Sequence, residues 1–343
     1  MSNGSEDKGL LTAVFDALRP SQYYEIPLDD WVSSFVKDWL VPNFRPAFQA
    51  AQWPVNEVLQ ALDTFLQGVP FVVATLVVTI LAWRVGQRGL AIFTLLALVA
   101  LEWLGVWPQT MTTLAMILTA VVFCTIIGVP LGILAAGSDR FEKGIRPVLD
   151  VMQTIPPFVY LVPIVMLFGV GMVPGVVATI IFALPPIIRL TNLGIRQVQS
   201  ELVEAGYAFG ASSWQVLWEI QVPLALRTIM AGLNQTLMLA LSMAVIAALI
   251  GAGGLGLTVY TGLGRLDVGR AFLGGLGIVL LAIILDRITQ AMGKQGQAAE
   301  GGWTFVGLFK RIVAQFRSGP SDSGASEDTG KAGNHASGSR AGD

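Results

Sequence analysis

One cysteine, Cys124, and one histidine, His335, are all that this 343-residue chain holds of two residue types on which much catalytic and metal chemistry rests. A single thiol excludes a disulfide scaffold. A lone histidine in a polar, glycine-rich tail excludes a Ser/His/Asp triad. CxxC pairs and clustered metal ligands are missing as well. The pattern GxxxxGK[ST] does not occur, so the chain does not hydrolyse ATP through a phosphate-binding loop. Charge is also scarce: Asp, Glu, Lys and Arg make up 13% of the residues, against about 25% in a typical soluble domain. The net charge is −2 and no basic stripe is present, which argues against nucleic acid as a partner.

What is present is apolar. The set AVILMFWYC reaches 54%, with 38 glycines besides, and the mean hydropathy is +0.66. A chain of this length has room for two ordinary domains at about 150 residues each. The composition describes instead an all-α polytopic membrane protein.

Residues 1–25 form a polar N-terminal segment without the basic and apolar regions of a signal peptide, so no cleavage is expected. Residues 26–68 carry apolar positions at helical spacing among interspersed charges. Pro42, Pro46 and Pro54 are expected to cut them into short amphipathic helices, at the interface or on the flank of a bundle. Apolar runs then follow at 69–84, 90–106, 109–137, 147–170, 173–188, 224–250 and 268–285. About 20 helical residues cross the hydrocarbon, so the reading is of about seven transmembrane helices within residues 69–292. Residues 293–343 form a tail whose last part, 317–343, lacks a core-forming pattern.

Alternating spans place Arg84, Arg88, Arg140, Lys143, Arg146, Arg189, Arg196, Arg227, Arg287 and Lys294 on one side. The opposite short loops carry only Arg265 and Arg270. Basic residues mark the cytoplasm, so the N-terminus is expected outside and the C-terminus inside, with 189–223 as a cytoplasmic loop.

Carboxylates are absent from the interiors of the third to sixth runs, which weakens an ion-coupled carrier. Glu102, Asp150 and Asp286 sit near span ends, and Asp150 lies close in sequence to Arg146. Gly251–Gly256 looks superficially like a dinucleotide loop, but it follows a membrane run rather than a strand. Close packing of small residues is the better reading. Prolines kink helices and free carbonyls. Pro156, Pro157 and Pro163 in the fourth run, with Pro185 and Pro186 closing the fifth, suggest bends around a pathway. Gln153, Thr154, Tyr160, Asn234, Gln235, Thr236 and Ser242 supply sparse polarity nearby, either wetting a pore or tying helices together. Phe158, Tyr160, Phe168 and Phe182 offer aromatic faces for a quaternary ammonium ion, although packing explains each of them equally simply.

The 201–223 segment is the most specific feature. Leu202, Ala205 and Phe209 favour a short helix, Gly210 breaks it, and Ser212 or Ser213 caps a second one. Val216 stands three residues after Ser213, so a full capping box is not expected. Pro223 is expected to end the loop and start the next membrane helix. The result is a compact helical hairpin suited to partner contact.

Glu204-Ala205-Gly206, Gly210, Ile220 and Pro223 resemble the EAA–G–I-LP loop of binding-protein-dependent ABC transporter permeases. Val222 stands at the usual leucine and Gly206 at the second alanine. The stretches Met152–Arg189 and Pro223–Asp286 are similar to the permease subunits of bacterial glycine betaine/proline betaine uptake systems, and the likeness covers roughly residues 22–292.

The resemblance implies a type I ABC importer permease fold in the bacterial inner membrane. It also implies a pathway built by two permease copies, with two ATP-binding subunits that use ATP-Mg and a periplasmic or extracellular substrate-binding protein. No cofactor is implied for this chain, whose part is gating rather than bond chemistry. Glu204, Ala205, Gly206, Gly210, Ile220 and Pro223 would form the ATPase-coupling loop. Gln153, Pro156, Pro157, Tyr160, Pro163, Asn234, Gln235 and Ser242 are candidates for pathway or gate. An ion-coupled secondary carrier and a non-transport membrane scaffold are the alternatives.

Overall fold

The computed structural model describes residues 27–86 and 88–295. The expectations for residues 1–25 and for most of the 293–343 tail, His335 included, lie outside the described residues. Among these residues every regular element is helical.

The helices are α1 (Leu28–Ser34), α2 (Val41–Gly68), α3 (Phe71–Val85), α4 (Arg88–Trp103), α5 (Trp107–Gly137), α6 (Asp139–Thr154) and α7 (Pro157–Phe168). They continue as α8 (Met172–Arg196), α9 (Ser200–Ala208), α10 (Ser213–Gln215), α11 (Val222–Ala247), α12 (Gly254–Gly264) and α13 (Val268–Gln295). π turns at Phe35–Leu40 and Val216–Gln221 join α1 to α2 and α10 to α11.

Four helical stretches are long and apolar enough to cross a membrane: Trp107–Gly137, Met172–Arg196, Ser213–Ile250 and Val268–Gly293. Two further pairs pass the same test together but are sharply bent, Asp30–Gly68 with Phe71–Val85 by 105° and Asp139–Thr154 with Pro157–Phe168 by 98°. The 147–170 run is thus not one straight span. Ile155 and Pro156 both precede a proline and both are extended (ψ 127° and 134°), as steric clash with the following ring demands. Pro157 then opens α7, where its missing N–H costs nothing.

Other prolines do the opposite. Pro42, Pro46 and Pro54 do not cut 26–68 into pieces, because α2 runs unbroken through Pro46 and Pro54. Pro42 lies in its first turn, and a helix interior proline costs about 3 kcal/mol. Burial of Val55 and Leu59 against Ala115, Met116, Ala120 and Val176 opposes that cost. Pro185 and Pro186 do not close a span either. They are buried inside α8, which continues to Arg196.

α8 is the centre of the bundle, flanked by α5 and α11, and small residues set its approach. An added Cβ at Gly128 of α5 would collide with Ile187, and one at Gly132 would lie 2.5 Å from Thr191 Cβ. At Gly232 of α11 it would lie 3.2 Å from the Ile187 Cα. Such spacing lets membrane helices gain dispersion contact where water offers no hydrophobic drive. Thr236 Oγ1 donates to the Ala183 carbonyl at 3.0 Å, beside the carbonyls that the two prolines leave without an amide partner.

The glycine run 251–256 serves packing. Gly171 N–H donates to Ile250 O at 2.8 Å, and Leu255 N–H donates to Thr113 Oγ1 at 2.8 Å. It also launches α12, a helix that the run pattern did not anticipate.

Candidate coupling surface and translocation pathway

α8 ends at Arg196 and α11 grows out of α10, so the α9–α10 hairpin stands at one end of the bundle. Its turn is fully determined by hydrogen bonding. Gly210 adopts φ +83°, its N–H reaches Tyr207 O at 2.9 Å, and Ala211 N–H reaches Gly206 O at 3.0 Å. This is the double closure of a helix that ends on a left-handed residue. Ser212, one of the two serines considered, caps α10 in a full capping box with Gln215, which corrects the expectation that no such box forms. Gln215 Oε1 accepts from Ser212 N–H at 2.8 Å.

The motif residues divide by face. Gly206 is buried, and a Cβ there would stand 2.7 Å from Ile220 Cδ1. Ile220 is half-buried against it, while Glu204, Ala205 and Gly210 are exposed. Leu202 and Phe209 also face outward, Phe209 at 92% exposure. The helix was read correctly, but its apolar positions do not form its packed face. Trp214 and Trp218 meet with tilted rings, centroids 5.4 Å apart, and are exposed too, as is Tyr207. This aromatic surface was missed, although the i, i+4 tryptophan spacing was visible.

Pro223 does not start a new helix. Ser213–Ile250 is one helical stretch of 38 residues, in which the π turn Val216–Gln221 directly precedes Val222-Pro223. A π turn widens the ring to i→i+5 and makes room for the pyrrolidine. The α9–α10 hairpin therefore continues into α11 without a break.

At the same end, α6 is held to α8 by two arginines seven residues apart. Arg189 contacts Asp150 at 2.6 Å and Gln153 at 2.9 Å. Arg196 contacts Asp139 at 2.7 Å, Glu142 at 3.3 Å and the Ala135 carbonyl at 2.9 Å. Asp150 thus pairs across helices, and Arg146 pairs instead with Glu142.

The pathway candidates do not converge on one point. Gln153 joins the α6–α8 clamp, Pro156 and Pro157 make the bend, and Pro163 lies within α7. Tyr160, Phe168 and Phe182 pack in a cluster with Leu161, Ile164, Ala178, Met243 and Ile250. Asn234 Nδ2 donates to Asp286 Oδ1 at 2.9 Å, tying α11 to α13. Gln235, Met238 and Ser242 are exposed along one stripe of α11, and Phe158, Val159 and Val162 are exposed on α7. No group of three or more His, Cys, Asp and Glu side chains among the described residues is arranged to hold a metal ion.

Residues 128–295 match the family of binding-protein-dependent transport system inner membrane components. The chain is 56% identical over 284 residues to the glycine betaine/proline betaine transport system permease protein ProW of Escherichia coli (strain K12), covering 83% of this chain and 80% of that protein. The chain belongs to the binding-protein-dependent transport permease family. It is also 45% identical over 265 residues to the glycine betaine transport system permease protein OpuAB of Bacillus subtilis (strain 168), covering 77% of this chain and 94% of that protein. A chain of the MetNI methionine ABC transporter, solved in inward-facing conformations, aligns with a TM-score of 0.48 and 25% identity over 58% of this chain and 97% of that one.

Membership makes the protein a multi-pass permease of the bacterial inner membrane and a transport component without a reaction of its own. The matched residues 128–295 include the α9–α10 hairpin.

Proposed function

We propose that this permease is the pathway-forming subunit of an ATP-driven importer of glycine betaine-type osmolytes. The observation that carries the substrate class is the 56% identity to a glycine betaine/proline betaine permease over 83% of the chain. Two permease copies, two ATPase subunits that use ATP-Mg, and an external substrate-binding protein complete the assembly. The permease holds no cofactor of its own.

Seven crossings within 69–292, with the N-terminal side outside and the tail in the cytoplasm, fit the basic residues gathered at the hairpin end. In this reading the bent pair α6 and α7, which holds the 147–170 run, supplies the fourth crossing. Residues 26–68 precede the first span as a flanking helical region. The tail begins near residue 293, beyond the last crossing.

The hairpin is the coupling element. Glu204 and Ala205 with the exposed aromatics meet the ATPase, Gly206 and Ile220 lock the two helices, Gly210 sets the turn, and Pro223 joins the hairpin to α11 as one lever. Closure of the ATPase pair would drive α11 and α8 as rigid bodies. Pro156, Pro157, Tyr160 and Pro163 shape the moving α7, Gln153 tethers its inner end, and Gln235 and Ser242 wet the stripe facing it. Asn234 ties α11 to α13 behind that stripe.

The test is reconstitution. Proteoliposomes containing the permease, its ATPase and its binding protein should take up glycine betaine only when ATP is on the ATPase side. Uptake by the permease alone, driven by an ion gradient, would establish the carrier. Absence of uptake with every component present and assembled would favour the scaffold.

A further inference from the structure

α12 and the start of α13 form an antiparallel hairpin. Gly262 lies against Ala271, Gly274 against Val259, and Gly277 against Leu255. Its root is fixed at one end of the bundle by Leu255 N–H on Thr113 Oγ1 at 2.8 Å. That level is shared by the start of α5 and, through Gly251 beside Gly171, by the α7–α8 turn. It is the end opposite the α9–α10 hairpin. From this root α12 runs 11 residues, about 16 Å at 1.5 Å per residue.

The tip is exposed throughout residues 263–270. Leu263, Leu266, Val268 and Phe272 are 62%, 89%, 80% and 65% exposed. Leu266 is also the one non-glycine residue with positive φ, +55°, among the described residues. Its backbone closes α12: Leu266 N–H reaches Leu263 O at 3.2 Å and Asp267 N–H reaches Gly262 O at 2.8 Å. Asp267 Oδ1 then accepts from Arg270 N–H at 3.0 Å and caps α13. A glycine at position 266 would make this turn without strain. Leucine strains the backbone there and leaves its side chain 89% exposed, so the residue costs stability without packing to offset it in the isolated chain. Burial of the side chain against another surface would offset that strain.

We infer that the tip Leu263–Phe272 is the docking finger for the external substrate-binding protein, presented to an apolar patch rimmed by carboxylates. This rests on the importer reading and on the orientation proposed above. Charge selects the occupant. Arg265 and Arg270 flank the apolar side chains, and neither guanidinium makes an ion pair among the described residues. They are also the two basic residues assigned to the outer short loops. A two-fold contact with a second copy brings a patch against itself, and this patch, with two arginines and one aspartate, carries net positive charge. Insertion into the bilayer would carry the Asp267 carboxylate with it. An acidic protein surface pairs with both arginines and covers the leucines together, while Asp267 stays engaged with the Arg270 N–H.

The experiment measures binding of the glycine betaine-loaded substrate-binding protein to the complete permease–ATPase complex in nanodiscs. Three variants are compared with wild type: Leu266→Gly, the triple Leu263→Ser/Leu266→Ser/Val268→Ser, and Arg265→Glu/Arg270→Glu. The triple variant should weaken binding by about tenfold or more, as loss of an apolar anchor does. The charge reversal should weaken it more at low than at high salt. Leu266→Gly should weaken binding while thermal stability stays equal or rises, and ATP turnover without the binding protein should be unchanged in all three. Unchanged affinity in the triple variant overturns the finger. So does quenching of a fluorophore on Leu266→Cys by doxyl lipid, which places the tip in the bilayer. A Leu266→Cys disulfide between two copies overturns it equally. If the wild-type complex itself neither binds the protein nor takes up glycine betaine, the importer reading has failed rather than the finger alone.

Discussion

At the scale of single residues, Gly210 has the most exact requirement in the α9–α10 hairpin, the proposed coupling element. A Cβ there would meet nothing within 4 Å, so space is not the constraint, whereas φ +83° is. Alanine adopts the left-handed region at a cost of about 1 kcal/mol, and the two closing hydrogen bonds survive. Proline cannot adopt it, because its φ is fixed near −65°, and it also deletes the bond to Tyr207 O. Gly210→Ala should therefore keep partial uptake. Gly210→Pro should insert normally yet lose both ATPase co-purification and uptake, and full transport in that variant would contradict the coupling role. The turn itself was legible, since a glycine between two helical patterns has few other meanings. Which faces pack was not. Gly206 touches Ile220, 14 positions later in the chain, and the exposure of Phe209 is decided by that contact rather than by its own helix. The cap was left open between Ser212 and Ser213, adjacent serines that are equivalent on paper, and the capping box was not foreseen. Only the reach of Gln215 separates the two serines.

Among elements, the behaviour of proline pairs shows where sequence reading stops. Pro156-Pro157 breaks the chain by 98°, while Pro185-Pro186 leaves α8 continuous. The dipeptide is the same. What differs is enclosure: α8 is gripped by Gly128, Gly132 and Gly232 on two sides, and that support overrides a local penalty that α7 has no comparable packing to resist. Hydropathy located the long spans well because burial in lipid depends on composition, but it merged α6 with α7 and passed over α12.

The α6–α8 clamp was equally invisible, since its arginines lie more than 35 positions from Asp150 and Gln153. Arg189 and Asp150 are 42% and 56% exposed, and pairs of that kind contribute about 0.2–1 kcal/mol. A double-mutant cycle of Arg189→Gln and Asp150→Asn, followed by thermal unfolding in detergent, should return a coupling within that range at low salt and close to zero at high salt. A coupling that stays large in high salt would mean that the pair is desolvated in the assembled protein and carries more of the helix–helix contact than its exposure implies.

For the whole molecule the question is which end faces which compartment. One end gathers the α6 clamp, the docking hairpin and the start of α11. The other gathers the start of α5, the Gly169–Gly171 turn and the root of α12. Two exposed positions sample these ends, Phe209 at 92% and Val170 at 74%. The chain has a single natural thiol, Cys124, which is buried, so a Cys124→Ser background leaves each introduced thiol as the only reporter. Basic residues are retained on the cytoplasmic side because translocating them is costly, and here ten of them fall on the hairpin side of the spans by sequence order. Val170→Cys should then react with a membrane-impermeant maleimide in intact, outer-membrane-permeabilised cells. Phe209→Cys should react only in inside-out vesicles, and ATPase bound to those vesicles should slow its labelling, because the same side chain would lie in the subunit contact. The reverse labelling pattern would invert the bundle. It would carry the coupling hairpin away from any cytoplasmic motor and leave the α12–α13 tip on the wrong side for an external binding protein. A single pair of thiols therefore tests the orientation on which both proposed contacts depend.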